Sequence, residues 1–256
     1  MVDESPSGAV SARASRGRSA RSRWSHRLGT LLVVAGAGVL VWAFVVWQWN
    51  DPLTSLYTRY EQHRLEKRYE QVLAQTPEPA STAPAAQPPD RAAASRAAAA
   101  AAAQLRRDVV DGQPVGRIVV PQLGLSMLMV DGTSTAALRK GPGIDPRTHL
   151  PGQGELVDVA GHRTTYLAPF DRIDALAPGD LVTLEMPYGR FEYRVTGHRI
   201  VDAHDLSVLE SKGREVVELH ACHPRFFATQ RYIVYASLVR FSTPDGESFG
   251  ARQKAS

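Results

Sequence analysis

Hydrophobic and polar residues follow different patterns in successive parts of the chain. Residues 28–47 form an apolar run without a single charged side chain. At about 1.5 Å per residue, a helix of this length spans the roughly 30 Å hydrocarbon core of a bilayer. After this run, apolar residues recur at spacings of three and four as far as residue 73, which is the helical period. The pattern therefore predicts a transmembrane helix over residues 28–49, followed by a short amphipathic helix.

A low-complexity segment comes next. Residues 76–91 are rich in Pro, Ala, Ser and Thr, and residues 92–103 are alanine except for Ser95 and Arg96. Alanine favours helix, but a run of alanines has no apolar stripe that could mark a packing face. We therefore expect residues 50–107 to form a helical and Pro/Ala-rich stalk. A chain that starts near Asp108 should then be soluble and folded.

Short β-rich runs punctuated by Gly and Pro replace the helical pattern after residue 108. The expected strands are Val115–Pro121, Leu125–Val130, Leu156–Gly161, Leu181–Met186, Phe191–Val201, Val216–Cys222 and Arg231–Phe241. Two brief helices are expected over Thr135–Arg139 and Phe170–Leu176, and a hairpin turn over Pro187–Arg190. Strands without long intervening helices indicate an antiparallel sandwich or a closed barrel over residues 108–242, with a flexible tail over 243–256.

Charge and cysteine content narrow the function classes. The chain has 30 Lys plus Arg, 26 Asp plus Glu and one Cys, so it has no intrachain disulfide. Arginines crowd residues 1–27, and the positive-inside rule then places this basic tail in the cytoplasm and the C-terminal domain outside the cell membrane. The long apolar run ends in Trp-Gln-Trp-Asn, which favours an uncleaved anchor over a cleaved signal peptide. Because topology explains the arginines and no recognition motif accompanies them, nucleic acid is not an expected partner.

The expected strand Val216–Cys222 carries the single thiol. Its period of two places Glu218, His220 and Cys222 on a polar face and the residues between them on the core face. An unpaired Cys is often a small buried hydrophobe, but a free thiol on the oxidising side of a membrane is open to side reactions, so a nucleophilic role is equally supported. His220, Cys222 and His223 give three zinc ligands at most, so neither a metal nor another cofactor is expected.

A thiol nucleophile needs a base or a cation nearby. His162 follows the apolar strand Leu156–Ala160, in a loop from which its side chain can project into a groove. Arg231 begins the last long strand nine residues after Cys222, so a hairpin return can bring its guanidinium beside the thiol to hold an oxyanion. On pattern alone, each residue taken by itself, a loop histidine without a role and a strand-end surface arginine are favoured.

Several short segments together carry a stronger signal. They are Leu138-Arg139-Lys140-Gly141-Pro142-Gly143, Gly161-His162-Arg163-Thr164-Thr165-Tyr166, Ala168-Pro169-Phe170, Pro178-Gly179-Asp180, Cys222-His223-Pro224 and Arg231. Over roughly Val115–Phe241, the chain resembles the sortase family, and most closely the class E sortases of high-GC Gram-positive bacteria. The resemblance implies an eight-stranded sortase-type β-barrel transpeptidase. It also implies His162 as acid/base, Cys222 as nucleophile and Arg231 as stabiliser of substrate and oxyanion.

The resemblance further implies an acyl-transfer reaction. Family members cleave the C-terminal sorting signal of a secreted protein after its threonine and hold the acyl group as a thioester. They then pass it to an amine of cell-wall peptidoglycan or of a pilin. Class E relatives prefer Leu-Ala-x-Thr-Gly to Leu-Pro-x-Thr-Gly signals. Tyr166 is a candidate for reading that second position, and Thr164, Ala221 and His223 are further substrate-binding candidates.

The chain departs from the family directly before the nucleophile. Family members usually have Thr-Leu-x-Thr there, whereas this chain has Glu218-Leu219-His220-Ala221, which puts substrate alignment in question. Two other functions fit the same residues. One is a cysteine peptidase that hydrolyses the same acyl-enzyme. The other is an inactive membrane-tethered module that binds the cell wall.

Overall fold

The computed structural model describes residues 18–49, 52–75 and 90–250. The chain divides into two units, residues 1–49 and residues 50–256. In the first unit, helix α1 (Arg18–Trp49) contains one segment, Arg27–Val45, that is long and apolar enough to cross a membrane. The side chains of that segment are exposed in the unit itself. Expectations about residues 1–17, 76–89 and 251–256 fall outside the described residues.

The second unit contains a closed β-barrel. Nine strands occur in its described residues: β1 (Pro114–Val120), β2 (Leu125–Asp131), β3 (Gly143–Ile144), β4 (Leu156–Gly161), β5 (Leu181–Met186), β6 (Gly189–Asp202), β7 (Val216–His223), β8 (Gln230–Ser242) and β9 (Ser248–Gly250). Their order in the sheet is β6-β5-β1-β2-β3-β4-β7-β8-β9, and a further pairing of β6 with β8 closes the first eight strands into a ring. The eight-stranded barrel is therefore confirmed, and the seven expected strands are present with their ends shifted by two residues at most.

Alternating side chains fill the barrel interior. Ile118, Val157, Leu219 and Val234 come from four different strands, and all have 0% exposure in one continuous core cluster. Such side chains point inward because successive residues of a strand face opposite sides of the sheet. The interior is therefore a packed core, and any functional site must lie on the outer face or at the strand ends.

Two short helical segments lie between the strands. Helix α4 (Thr135–Leu138) begins after Ser134, whose hydroxyl accepts the Ala137 N–H at 3.1 Å as an N-cap. The helix expected over Phe170–Leu176 is reduced to a single 3-10 turn at Ile173–Ala175. Burial of Phe170 explains the difference, because its ring has 0% exposure and anchors the segment as a loop against the core.

Helix α2 (Pro52–Gln75) packs against the barrel. Its Leu65 and Tyr69 are buried in a cluster with Leu128 and Val130 of strand β2. The expectation of a stalk that stands apart from the folded domain is therefore corrected for this helix. Only the part of the apolar pattern around Leu65 and Tyr69 faces the outside of the sheet, whereas Leu56 and Tyr60 are exposed.

Helix α3 (Arg91–Asp108) contains the alanine run and also packs against the barrel, so the expectation of a separate stalk is wrong for this segment as well. Ala94, Ala98 and Ala102 lie four residues apart on one helix face, and all three are buried in the main core cluster. The Asp90 carboxylate caps the helix by accepting the Ala93 N–H at 2.7 Å. Small side chains let the helix backbone approach the sheet closely, so an alanine face can pack without large apolar residues.

The segment after β8 also differs from the expected flexible tail over 243–256. Residues 243–247 turn the chain back, and β9 pairs antiparallel with β8, with Phe249 opposite Phe241. Their rings stack with centroids 5.0 Å apart. The described part of this segment is therefore a strand added to the barrel edge.

Candidate active site

Three neighbouring strands arrange the predicted catalytic residues in one row. Strand β4 runs parallel to β7 with Gly161 beside Ala221, and β7 runs antiparallel to β8 with Cys222 opposite Arg231. His162 is the residue directly after Gly161, so it follows the end of β4 at the level where Cys222 follows Ala221 on β7. Residues opposite each other on neighbouring strands point to the same face of a sheet. The row His162, Cys222, Arg231 therefore lies across the outer face of the barrel, at the ends of β4 and β7.

Cys222 is a free, half-buried thiol at the end of β7. The face of β7 that carries Cys222 is less exposed to solvent than its polar residues indicated in the sequence. Glu218, on the same face, has 0% exposure, and the Lys212 ammonium from the β6–β7 connection lies 3.6 Å from its carboxylate. The polar face of β7 is thus covered beneath the thiol and opens only near the strand end, where Cys222 stands.

His162 is held in a partly buried position with a free ring nitrogen. Its Nε2 atom is buried and has no hydrogen-bond partner among the described residues. The Tyr166 ring lies 5.0 Å from the imidazole, centroid to centroid. Burial, and then the charge of Arg139, lowers the His162 pKa from its ordinary value. The imidazole is therefore mostly neutral near neutral pH and can accept a proton.

Arg231 is half-buried, and the loop between β7 and β8 fixes its guanidinium. Its Nη1 donates to the carbonyl oxygens of Ala228 at 2.8 Å and Gln230 at 2.9 Å. A guanidinium has five N–H donors, so two loop carbonyls leave donors for another acceptor. A thiol, an imidazole and a guanidinium are groups that can serve as nucleophile, base and oxyanion donor in covalent acyl transfer.

Three of the four predicted substrate-binding residues surround the row. Thr164 and Tyr166 are half-buried in the loop after His162. His223, next to the thiol, has its Nδ1 atom 2.8 Å from Arg163 Nη1. Ala221 is different, because its side chain is 2% exposed and belongs to the core cluster, on the opposite face of β7 from Cys222.

Sequence reasoning missed Arg163, which links the segments of the site. The residue is only 3% exposed, and its Nη2 atom lies 2.7 Å from an Asp174 carboxylate oxygen. Its guanidinium also lies 5.6 Å from the centre of the Tyr232 ring. Together with its contact to the His223 ring, these interactions join the loop after β4 to β7 and β8. Its position next to His162 was the available signal, but an arginine in a loop has the pattern of a surface charge.

A buried acidic cluster lies behind the row on the same outer face. Asp158 of β4 stands beside Glu218 of β7 in the parallel register, and both carboxylates are buried without hydrogen-bond partners among the described residues. His220 Nδ1 lies 3.5 Å from an Asp158 oxygen. Burial raises the pKa of Asp158 and raises that of Glu218 to about 7, with Lys212 opposing the shift at Glu218. Because burial favours the protonated forms of Asp158 and Glu218, their protonation depends on how closely β7, the strand that carries Cys222, is packed.

Comparison with known proteins is consistent with this geometry. A sortase domain family model matches residues 118–239. Sortase D of Bacillus subtilis is 31% identical over 132 residues, which cover 50% of this chain and 65% of that relative. A sortase structure from Actinomyces oris has a TM-score of 0.50 and 25% identity, over 57% of this chain and 92% of that one. Clostridium perfringens sortase C, solved with a C-terminal cell wall sorting motif, has a TM-score of 0.54 and 20% identity, over 67% and 96% of the two chains. The family model and the B. subtilis relative support assignment to the sortase family, and the two structures share its fold.

Proposed function

We propose that this chain is a membrane-anchored sortase, a cysteine transpeptidase of class E type. It would cleave a Leu-Ala-x-Thr-Gly or Leu-Pro-x-Thr-Gly sorting signal and transfer the threonyl acyl group to an amine. The register that sets Cys222 of β7 opposite Arg231 of β8, with His162 directly after the neighbouring strand β4, is the observation that carries the proposal. The match of the sortase domain model to residues 118–239 supports it independently. The class E assignment rests on the sequence motifs.

The first half-reaction forms a thioester. The Cys222 thiol gives its proton to His162, and the sulfur attacks the threonine carbonyl carbon to form a C–S bond. As the C–N bond to glycine breaks, His162 returns the proton to the leaving amine. The free Nε2 atom of His162 and its lowered pKa suit this exchange, because a neutral imidazole can first accept the proton.

The second half-reaction transfers the acyl group. An acceptor amine attacks the thioester carbon and loses a proton to His162, and as the C–S bond breaks His162 passes that proton to the Cys222 sulfur, which restores the thiol. We propose that the free N–H donors of Arg231 align the carbonyl and stabilise the oxyanion in both halves. We propose that Tyr166, Thr164 and His223 contact the signal. The acceptor would be an amine of a peptidoglycan precursor or of a pilin.

Helix α1 supports a location at the cell membrane. We propose that it is a single-pass anchor with the N-terminus in the cytoplasm and the catalytic domain outside, because arginines precede the apolar segment. Protease added to intact protoplasts should then remove the C-terminal domain. Survival of that domain while the N-terminal tail is digested would show the opposite orientation.

The activity is tested with sorting-signal peptides. The full chain in detergent is incubated with a Leu-Ala-x-Thr-Gly or a Leu-Pro-x-Thr-Gly peptide, with and without an amine acceptor, and the products are identified by mass. We expect an acceptor-dependent product linked through threonine, and an acyl-enzyme on Cys222.

Two variants test the roles in the row. Cys222→Ala should abolish the product because the nucleophile is gone. Arg231→Lys should be severely impaired, since an ammonium cannot reproduce the planar, multi-donor guanidinium. Hydrolysis without any use of acceptor would indicate the cysteine peptidase. Absence of an acyl-enzyme with either peptide would leave the wall-binding module.

A further inference from the structure

We propose that Thr54 and Tyr57, in helix α2, are positioning residues that hold the active-site histidine through the loop that follows it. This inference rests on the proposed role of His162 as the proton carrier of the reaction. It assigns a role in catalysis to the helix that directly follows the apolar segment in the sequence. The argument starts from the backbone of the loop.

The loop after His162 has an unusual backbone. Three consecutive residues other than glycine, Tyr166, Leu167 and Ala168, have positive φ angles of 54°, 62° and 40°. Such residues persist in the left-handed region only where surrounding contacts fix them. The loop has backbone hydrogen bonds of its own, from the Ala168 N–H to the Thr165 carbonyl oxygen and from the Phe170 N–H to the His162 carbonyl oxygen. Contacts from other elements add to these bonds in fixing where its side chains stand.

Helix α2 supplies two of those contacts. The Thr54 hydroxyl oxygen accepts the Tyr166 backbone N–H at 3.0 Å, although the two residues are 112 positions apart in sequence. The Tyr57 ring meets the Tyr166 ring edge to face, with centroids 6.4 Å apart and planes at 76°. One contact fixes the backbone of Tyr166 and the other fixes its ring.

Tyr166 transmits this constraint to the imidazole. Its ring lies 5.0 Å from the His162 ring, at 36° between the planes. The Arg139 guanidinium lies 5.7 Å from the centre of the same tyrosine ring. Displacement of the tyrosine would therefore change both the burial of His162 and its distance from the arginine charge. These are the two factors that lower the His162 pKa.

The same helix also holds the segment that carries Arg139. The Thr58 hydroxyl donates to the Arg139 carbonyl oxygen at 2.8 Å. The Gln62 amide donates to the carbonyl oxygens of Lys140 and Leu128 at 2.8 and 3.0 Å, and accepts the Leu128 N–H at 2.9 Å. Helix α2 is thus fixed to the barrel by hydrogen bonds that leave Thr54 and Tyr57 directed at the loop.

The test uses the full chain in detergent micelles and three substitutions. Thr54→Val keeps the shape and removes the acceptor, and Tyr57→Leu removes the ring. Tyr60→Leu is the matched control, because Tyr60 lies on the same helix, is 61% exposed and contacts Arg64. The readouts are kcat and KM with a sorting-signal peptide, and titration of the His162 ring by NMR, assigned with His162→Asn.

We expect Thr54→Val and Tyr57→Leu to lower kcat by about 10-fold with little change in KM, since small misplacements of a catalytic group are costly. The His162 titration midpoint should move upward in both variants as burial is lost, and Thr54→Ser should restore both readouts. Tyr60→Leu should match the parent chain. If Thr54→Val and Tyr57→Leu leave the His162 titration midpoint at its parental value, α2 does not position the histidine and the inference is wrong.

The NMR arm separates this inference from the proposed function. If the parent chain forms no acyl-enzyme while Thr54→Val and Tyr57→Leu still shift the His162 titration midpoint, that result would uphold the contact between α2 and the histidine and reject the transpeptidase. An active parent whose His162 titration is unaffected by either substitution would do the reverse.

Discussion

The substitution Glu218→Gln should remove a pH-dependent cost to the folded state. The Glu218 carboxylate has 0% exposure, lies beside the buried Asp158 and has the Lys212 ammonium 3.6 Å away. Burial raises its pKa from 4.5 to about 7. Because the folded pKa lies above the unfolded value, the folded state binds the extra proton between these two pH values. Stability is therefore lost as pH rises from 4.5 towards 7, and the loss is complete above the folded pKa.

The size of this effect follows from the two pKa values. The interval from 4.5 to about 7, at about 1.4 kcal/mol per pH unit, corresponds to about 3 kcal/mol. Glutamine has nearly the same shape and carries no charge, so above pH 7 the variant should be more stable than the parent by up to about 3 kcal/mol. Near pH 4.5 the two chains should differ little, because Glu218 is then protonated in both states.

Urea denaturation of the full chain in mild detergent from pH 4.5 to 8.5, followed by near-ultraviolet circular dichroism of the barrel tyrosines, measures the difference. Glu210→Gln, at an exposed position, is the control and should leave the pH dependence of the parent unchanged. Lys212→Met should destabilise the parent above pH 7 but have a smaller effect in the Glu218→Gln background. Parallel stability curves for the parent and Glu218→Gln over the whole pH range would refute the reasoning.

Three further predictions follow from the packing of the second unit. A chain that starts at Asp108 should unfold more easily than one that starts at residue 50, because loss of the burial of Leu65 and Tyr69 alone costs about 3–6 kcal/mol; equal urea midpoints for the two chains would show that α2 and α3 are dispensable. Arg163→Met should lower the free energy of unfolding by about 1–3 kcal/mol, since the His223 ring and Asp174 lose a donor; an unchanged midpoint would show that the ion pair contributes nothing. Gly161→Ala should lower the free energy of unfolding by about 1–3 kcal/mol, because a Cβ at this position would lie 2.6 Å from a ring carbon of Phe170. It should also slow the reaction, since residue 161 directly precedes His162; full stability and full activity would contradict that steric conflict.

The strands were predictable from sequence, whereas the packing of the helices was not. Alternation of apolar and polar residues is a local signal, and it gave seven strands of the barrel within two residues. Helix α3 has no alternation of apolar and polar residues that could mark its buried face. Ala94 and Ala98 are buried, whereas the alanines next to them in sequence are not. Hydropathy cannot distinguish the faces of a helix whose residues are all alike. Strand β9 was missed for a related reason, since three residues are too few for a period.

In the candidate site, too, some residues were identifiable from the sequence and others were not. The register of three strands aligns His162, Cys222 and Arg231, and each of these was identifiable from a motif and its place at a strand end. Arg163 and Thr54 make contacts with residues far away in sequence, at His223 and Tyr166. No local pattern encodes such a contact. The groups proposed to do the chemistry could thus be predicted, but those that hold them could not.

The two departures before the nucleophile have different physical consequences, because they lie on opposite faces of β7. Ala221 points into the core cluster, where a methyl group needs no hydrogen-bond partner and a hydroxyl would. Glu218 points outward and introduces a buried carboxylate beside Asp158, with Lys212 as its nearest cation. Neither side chain belongs to the row, since the side chain of Cys222 stands opposite Arg231 one position beyond Ala221 and four beyond Glu218. The departures therefore change the packing and proton binding of the strand behind the nucleophile, and leave the register that aligns the row intact.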